Sequence, residues 1–332
     1  MRHFFLATAR SALVVLLATL SGITNAQAQT DTAFPDRPVT IITPFSAGSG
    51  PDAVLRMVAE SLTKQWGQTV IIDNRPGGAG FIAIEQARRA KPDGYTLLQL
   101  DSEQISALPY LYPSRKISPL EIFEPVVALF RTPFFIAVPS NSPWQNMRDL
   151  IKAAQTNPDS VSYGSWGVGS PGHLGALQLE KMSHTKMLHI PYKETAQLYV
   201  NLGSNEIQWA FASIGSSESL YKKGSLKYLA IAAKSRHPGM PDVPTVAEAG
   251  GPQQLTVDSF AVLMAPKGTN AKIIEKIHAD VLKAVQTEKV KNNYAAFAFE
   301  HLDWSPQEIT RISKLKGETY EKLVREGNIR LD

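Results

Sequence analysis

The 332-residue chain contains no cysteine. That excludes disulfides, thiolate nucleophiles, cysteine–zinc sites, iron–sulfur clusters and a lipid carried on an N-terminal cysteine. Charge is sparse as well: 19% of residues are Asp, Glu, Lys or Arg, and the formal net charge is +4. So small an excess, with no basic block, does not describe a nucleic-acid binder. The G-x-S-x-G elbow and the H-E-x-x-H zinc motif are both missing. His173, His184, His189 and His237 are too scattered to form a metal set by spacing, and no metal or cofactor is expected. After the N-terminal segment, no run approaches about 18 consecutive apolar residues.

What is present is a globular composition, 43% hydrophobic and 8% aromatic, long enough for two domains with buried cores. Residues 1–28 read as a secretory signal peptide. Arg2 and His3 open it, Arg10 adds a second charge ahead of the apolar stretch Ser11–Leu20, and Ala26-Gln27-Ala28 fits the small-x-small cleavage rule. An uncleaved anchor helix is the alternative, but the apolar run is short for a bilayer. Removing Arg2 and Arg10 lowers the net charge to +2. No Arg-Arg pair precedes the run, which disfavours export in a folded, cofactor-loaded state. The expected molecule is exported, without a supply of cytosolic ATP or NADH.

The mature chain repeats strand, glycine-rich turn and helix. Short apolar runs at Val39–Thr43, Val70–Asp73 and Thr96–Leu100 read as strands, with a helix after the first two. Phe134–Val138, Ser160–Tyr163, Met187–Ile190, Ile207–Ala212 and Tyr228–Ala233 continue the pattern, and Leu255–Ala265 is long enough to cross between domains. Strands alternating with helices predict parallel sheets covered on both faces. The C-terminal part reads as helical, with Ser305-Pro-Gln-Glu308 as a capping box for a last helix to about Glu326. The expected object is two α/β lobes, the second inserted into the first. Residues 29–131 with 260–332 form one lobe, and 132–259 form an inserted second lobe. Hinges are expected near Phe130–Phe134 and Asp258–Ala261.

Two glycine-rich loops stand where a strand hands over to a helix, the position at which open α/β sheets bind ligands. In Phe45–Asp52 the glycines allow close backbone approach, and the helix start favours an anion. The bland reading is a plain turn, and Asp52 is expected as the helix N-cap under either. The second loop holds Gly167-Val-Gly-Ser-Pro-Gly172, a literal G-x-G-x-x-G with Glu194 downstream, as in dinucleotide sites. Export, the placement of Pro171 and His173, and the lack of a catalytic pair weigh against a nucleotide. A second anion loop fits better, with donors at Ser165, Gly169 and Ser170. His173 could donate to an anion or serve as a structural histidine. Trp66, Trp144, Trp209 and Trp304 read as core or surface filler. Trp166, inside a glycine loop, could instead wall a pocket for a flat or apolar ligand body.

As an ordered set, these residues resemble the Bug receptors, the periplasmic solute-binding proteins of tripartite tricarboxylate transporters. The matching stretches include Phe34-Pro-Asp-Arg-Pro-Val-Thr-Ile-Ile-Thr-Pro-Phe45, Asp73-Asn-Arg-Pro-Gly-Gly-Ala-Gly80, Lys91-Pro-Asp-Gly-Tyr-Thr-Leu-Leu98 and Pro109-Tyr-Leu-Tyr112. His189-Ile-Pro-Tyr-Lys193 and Pro241-Asp-Val-Pro-Thr245 follow in the same order. The resemblance covers nearly the whole mature chain. It implies a two-lobed periplasmic binding protein fold of type II character, whose lobes pinch a small carboxylate through backbone amides, hydroxyls and waters. It also implies the periplasm as the location and transporter permease subunits as partners.

The loops map onto Phe45, Ser46 and Gly48 in one lobe and Ser165, Gly169, Ser170 and His173 in the other. Trp166, Ser102 and Thr195 complete the candidate ligand-binding set; none is expected to be catalytic. Trp166 stands where the family usually has a small residue, and Asp258-Ser-Phe260 where it often has tryptophan and glycine. Phe45 and Trp166, with few cations nearby, lean towards an aromatic mono- or dicarboxylate over citrate. The expected molecule is an exported, monomeric receptor. A periplasmic carboxylate sensor and, more remotely, a secreted nucleotide-binding oxidoreductase are the alternatives.

Overall fold

The computed structural model describes residues 34–332; the signal peptide read at residues 1–28 lies outside them. Two five-stranded sheets organise the described chain. The first contains β1 (Val39–Thr43), β2 (Val70–Asn74), β3 (Thr96–Asp101), β4 (Phe123–Pro133) and β10 (Asp258–Pro266), in the order β2-β1-β3-β10-β4. The second contains β5 (Phe135–Pro139), β6 (Ser162–Ser165), β7 (Leu188–Pro191), β8 (Trp209–Ala212) and β9 (Leu226–Ile231), in the order β7-β6-β8-β5-β9. Helices α1 (Gly50–Trp66) and α2 (Phe81–Ala87) join the first three strands. The short helices α3 (Ser102–Ser106), α4 (Leu108–Leu111) and α5 (Pro119–Ile122) lead to β4. Helices α6 (Met147–Thr156), α7 (Pro171–Ser183), α8 (Thr195–Gly203) and α9 (Ile214–Lys222) serve the second sheet. Helices α10 (Ala271–Val285), α11 (Glu288–Phe297) and α12 (Pro306–Glu326) follow β10.

The expectation of parallel sheets needs correction, because both are mixed. In each, the fourth strand in the order runs against its neighbours: β10 against β3 and β4, and β5 against β8 and β9. The reason is that each of these strands arrives from the other sheet instead of through its own sheet's helical crossover. β5 follows β4 after Phe134. β10 follows Val257, which still bonds to second-sheet neighbours: its amide donates to Ala232 O at 2.8 Å, and its carbonyl accepts from Phe134 N at 3.2 Å. The two crossings therefore run side by side, with Asp258 opposite Pro133. Strand β4 has no counterpart in the sequence reading. Pro125 and Pro133 obscure it, and both are tolerated because β4 lies at the sheet edge.

Local chemistry accounts for the elements around the site. β1 is a β-branched run, buried at four of its five positions. Helix α1 is capped by Ser49, carries Pro51 in its first turn and ends at Gly67 with φ 63°. Val54, Leu55, Val58 and Leu62 are wholly buried on one stripe of that helix, each contributing about 1.5–3 kcal/mol. Ser305 caps α12 through Glu308 N at 3.1 Å. The capping box is only half formed there, since the Glu308 carboxylate pairs with Arg311 instead.

Candidate functional site

A cavity of about 420 Å³ lies between the two sheets. It sits beyond the carboxyl ends of β1, β3, β6 and β8, where open α/β sheets leave room for a ligand. Its first-sheet wall comprises Phe45, Ser49–Pro51, Asp101, Phe130, Thr132, Ser259–Ala261, Phe297 and Phe299. Its second-sheet wall comprises Phe134, Trp166, Pro171, Thr195, Ser213, Gly215 and Ser216. Seven aromatic rings and six hydroxyl-bearing residues line it, and Asp101 is the one charged lining residue.

The two glycine loops at its edges share one construction. Gly48 and Gly169 turn the chain at φ +82° and +81°, a region that disfavours any residue with a Cβ. Ser49 and Ser170 follow, each capping a helix through the amide three residues on, both at 3.4 Å. The third helical residue then reaches back to its glycine. Gly48 N donates to Asp52 Oδ2 at 2.8 Å, and Gly169 N donates to His173 Nδ1 at 3.0 Å. The cap of α1 is thus Ser49, not Asp52 as expected, because an extended serine one residue before Gly50-Pro51 can reach the Asp52 amide.

The chemistry beneath the two loops differs. Burial opposes ionisation of Asp52, but hydrogen bonds from Arg56, Asn74 and Gly48 outweigh it and hold the carboxyl below its ordinary value. Asn74 also bonds the Phe45 carbonyl at 2.9 Å, tying the aromatic wall to the loop. His173 instead stacks on His189, with centroids 4.1 Å apart. Burial, then the neighbouring His189, pull His173 down to about 3, and burial pulls His189 down to about 4. Both rings are therefore neutral near pH 7, and His173 does not offer an anion a charged donor. His189 Nε2 lies 2.7 Å from Ser165 Oγ. That distance resembles a nucleophile–base pair, but Ser165 is 1% exposed and no carboxylate orients His189 among the described residues, so the contact secures the loop.

Of the candidate residues, Phe45, Trp166 and Thr195 line the cavity, whereas Ser46, Gly48, Ser102, Ser165, Gly169, Ser170 and His173 do not. The Gly48 and Gly169 amides are taken within the loops. Ser170 Oγ donates to Gly167 O at 2.7 Å, and Ser165 Oγ lies 3.0 Å from the same carbonyl. Ser102 is fully buried against Glu103 and Ser259. Trp166 packs on Phe134 at 5.1 Å and against Gly172, where a Cβ would come within 3.1 Å of the indole. No cluster of metal-binding side chains, and no helix long and apolar enough to cross a membrane, occurs among the described residues.

The helix starts are the other element of the geometry. Gly50 and Pro51 open α1, Pro171 opens α7, Thr195 opens α8, and Gly215 and Ser216 lie in the first turn of α9; all line the cavity. The first turns of α8 and α9 receive no side-chain cap. The Ser216 amide turns back to Ser213 O at 3.2 Å, and the Thr195 and Gly215 amides are available for an acceptor in the cavity.

The family model for the tripartite tricarboxylate transporter family receptor matches residues 54–329. The chain belongs to this family. A UPF0065 protein encoded in the gbd 5′ region of Cupriavidus necator is 31% identical to this receptor over 302 residues, 90% of this chain and 89% of the relative. A Rhodopseudomonas palustris protein solved with adipate has a TM-score of 0.78 and 27% identity, covering 90% of this receptor and all of that chain. MatC from the same organism, solved with malate, gives 0.74 and 25%, covering 88% of this receptor and all of that chain. The fold is the two-lobed periplasmic binding protein fold, each lobe a sheet flanked by helices.

Several lining residues of the receptor escape the sequence reading. Phe130, Phe134 and Phe260 fall in segments read as hinges, and they form walls as well. Ser213 and Ser216 stand at the same strand-to-helix switch as the two loops, but without glycine-rich punctuation before them. Phe297 ends α11 and Phe299 lies just after it, far from any loop motif. Phe297 reaches across the cavity to Gly215, where an added Cβ would lie 2.5 Å from the ring.

Proposed function

We propose that this receptor captures a small organic carboxylate between its lobes and delivers it to the permease subunits of a tripartite transporter. The observation that carries this reading is the meeting of four helix N-termini, from both sheets, at an aromatic cavity with no lysine, arginine or histidine in its lining. First-turn amides and the macrodipole favour an anion without a formal cation, and the rings suit an apolar body. The carboxylate lies at the uncapped starts of α8 and α9, near Thr195, Ser213 and Ser216. The body lies between Phe45 and Trp166. Adipate and malate in the related structures support a carboxylate as the solute class, and the seven rings favour an aromatic one here.

The lobes are residues 29–131 with 260–332, and 132–259, closing about the paired crossings at Pro133–Phe135 and Val257–Asp258. A solute that touches both walls stabilises the closed form. The receptor works as a periplasmic monomer after removal of the leader at 1–28. A thermal-shift screen of the mature protein tests this, using aliphatic and aromatic mono-, di- and tricarboxylates with NAD as control. A ligand at 100 times its Kd stabilises the fold by about 2.7 kcal/mol, several degrees for a chain of this size. A shift with one carboxylate class is the expected result. Silence across all of them overturns the reading, and a shift with NAD alone points to a nucleotide.

A further inference from the structure

Asp101 is the one charged residue in the cavity lining. It sits at the end of β3 on the first-sheet wall, which also carries the start of α1, and it faces a second-sheet wall that carries the starts of α7, α8 and α9. Asp101 caps α3 by accepting from Gln104 N at 2.7 Å, and no lysine or arginine reaches ion-pair distance of it among the described residues. The nearby cations are committed elsewhere. Lys316 pairs with Glu103 at 3.1 Å and Asp258 at 3.0 Å, and Arg131 pairs with Glu300. Ser259 Oγ lines the cavity but gives its hydrogen to Glu103, and the Tyr320 hydroxyl is likewise spent on Glu103. Beside Asp101 the Ser259 donor is therefore spent and the carboxyl presents an acceptor, with the Thr132 and Ser49 hydroxyls on the same wall.

Resting on the carboxylate-receptor reading, we infer that Asp101 determines specificity: it selects a solute with one carboxylate and, at the far end, a hydrogen-bond donor such as an amine or hydroxyl, and it turns away a second carboxylate. The anionic end sits at the helix starts, the body lies among the rings, and the donor meets Asp101. Two carboxylates at one site cannot both ionise cheaply. Burial, and next the charge of Glu103, raise the Asp101 carboxyl to about 7, so its ionised form repels a second solute carboxylate above pH 7, while at lower pH a shared proton admits one. A site that presents an acceptor discriminates strongly against a solute lacking the donor.

The experiment is calorimetric titration of the mature protein, its Asp101→Asn variant and, in case that variant folds poorly, Asp101→Ser, which keeps an N-cap oxygen. The probes form two matched pairs: 4-aminobenzoate against terephthalate, and 6-aminohexanoate against adipate. In the wild type at pH 7.5 the amino acid of at least one pair binds at least tenfold more tightly than its dicarboxylate. In the Asp101 variants that preference falls at least tenfold or reverses. Dicarboxylates that bind equally well to wild type and variants overturn the inference while leaving the carboxylate-receptor reading in place. Silence of all four probes, with no other carboxylate active in the thermal screen, overturns both.

Discussion

In both glycine loops a serine caps the helix, a glycine with positive φ turns the chain, and the third helical residue accepts the glycine's amide. Under the first loop that acceptor is the ionised carboxylate of Asp52, fixed by Arg56 at 2.8 Å and by Asn74 at 2.8 Å. Under the second it is the neutral imidazole of His173, fixed by stacking on His189. The two walls present similar shapes, with Phe45 and Trp166 at equivalent places, and they respond to different conditions. A backbone conformation required at the mouth of a cleft can be held by charge or by a buried neutral ring, and acid separates the two.

Acid should therefore produce the largest effect. His173 and His189 titrate near 6.5 when unfolded but are pulled to about 3 and about 4 in the fold. Their stabilisation is complete above 6.5 and is lost as pH falls towards 4, because the unfolded chain binds protons the fold refuses. The loss is at most about 1.4 kcal/mol per histidine per pH unit. Asp52 has a lowered value, so its contribution persists until pH falls below the unfolded value near 3.8. Asp101 and Glu180, both raised to about 7, act in the opposite direction between roughly pH 7 and 4, so variants must be compared. The stability deficit of His189→Gln, measured by urea unfolding, should shrink between pH 7 and 5, and that of Asp52→Asn should stay constant. A constant deficit in both would mean that the second loop is not held by a neutral pair.

Alanine at the two turning glycines breaks the equivalence by packing instead of charge. Both positions incur about 1–2 kcal/mol for a Cβ at positive φ. At Gly48 nothing lies within 4 Å of an added Cβ, while at Gly169 the Cβ would run into Leu111. Leu111 is buried in the cluster of α4, α7 and α12 and cannot yield freely. Gly169→Ala should lose a further 1–2 kcal/mol or so relative to Gly48→Ala, read as a difference in urea midpoints. Equal losses would mean that the α4 contact is loose.

Much of this comparison was legible in the sequence. Both loops announce themselves as glycine and serine between a β-branched run and an amphipathic stretch, and those are local signals. The aromatic walls were only half visible. Phe45 and Trp166 sit inside the loops, but Phe297 reaches the cavity only because α11 returns against α1 and α9, a long-range consequence with no local sign. The inversion of β5 and β10 was hidden for the same reason: strand direction depends on which sheet the chain has just left. The loops' own consumption of their donors was likewise unreadable, since it depends on side chains at Asp52 and His173 turning back, not outward.

Truncating the two aromatic walls tests whether they read the solute's body. Trp166→Ala should weaken binding of an aromatic carboxylate by about 1–2 kcal/mol more than that of an aliphatic one. Phe45→Ala, with a smaller ring, should show the same preference to a lesser degree. Equal losses for both ligand classes, measured by calorimetry, would assign the rings to packing between the lobes and not to the solute.

The smallest effect concerns the caps. Ser49 and Ser170 make the same long bond to the third helical amide, 3.4 Å in each, so Ser49→Ala and Ser170→Ala should each lose about 0.5–1 kcal/mol of stability. Ser170 also donates to Gly167 O and lies outside the cavity lining, whereas Ser49 is part of that lining. Ligand affinity should therefore fall in Ser49→Ala and stay within about twofold of wild type in Ser170→Ala. A Ser170→Ala variant that folds with wild-type stability yet loses affinity tenfold would return the second loop to direct contact with the carboxylate.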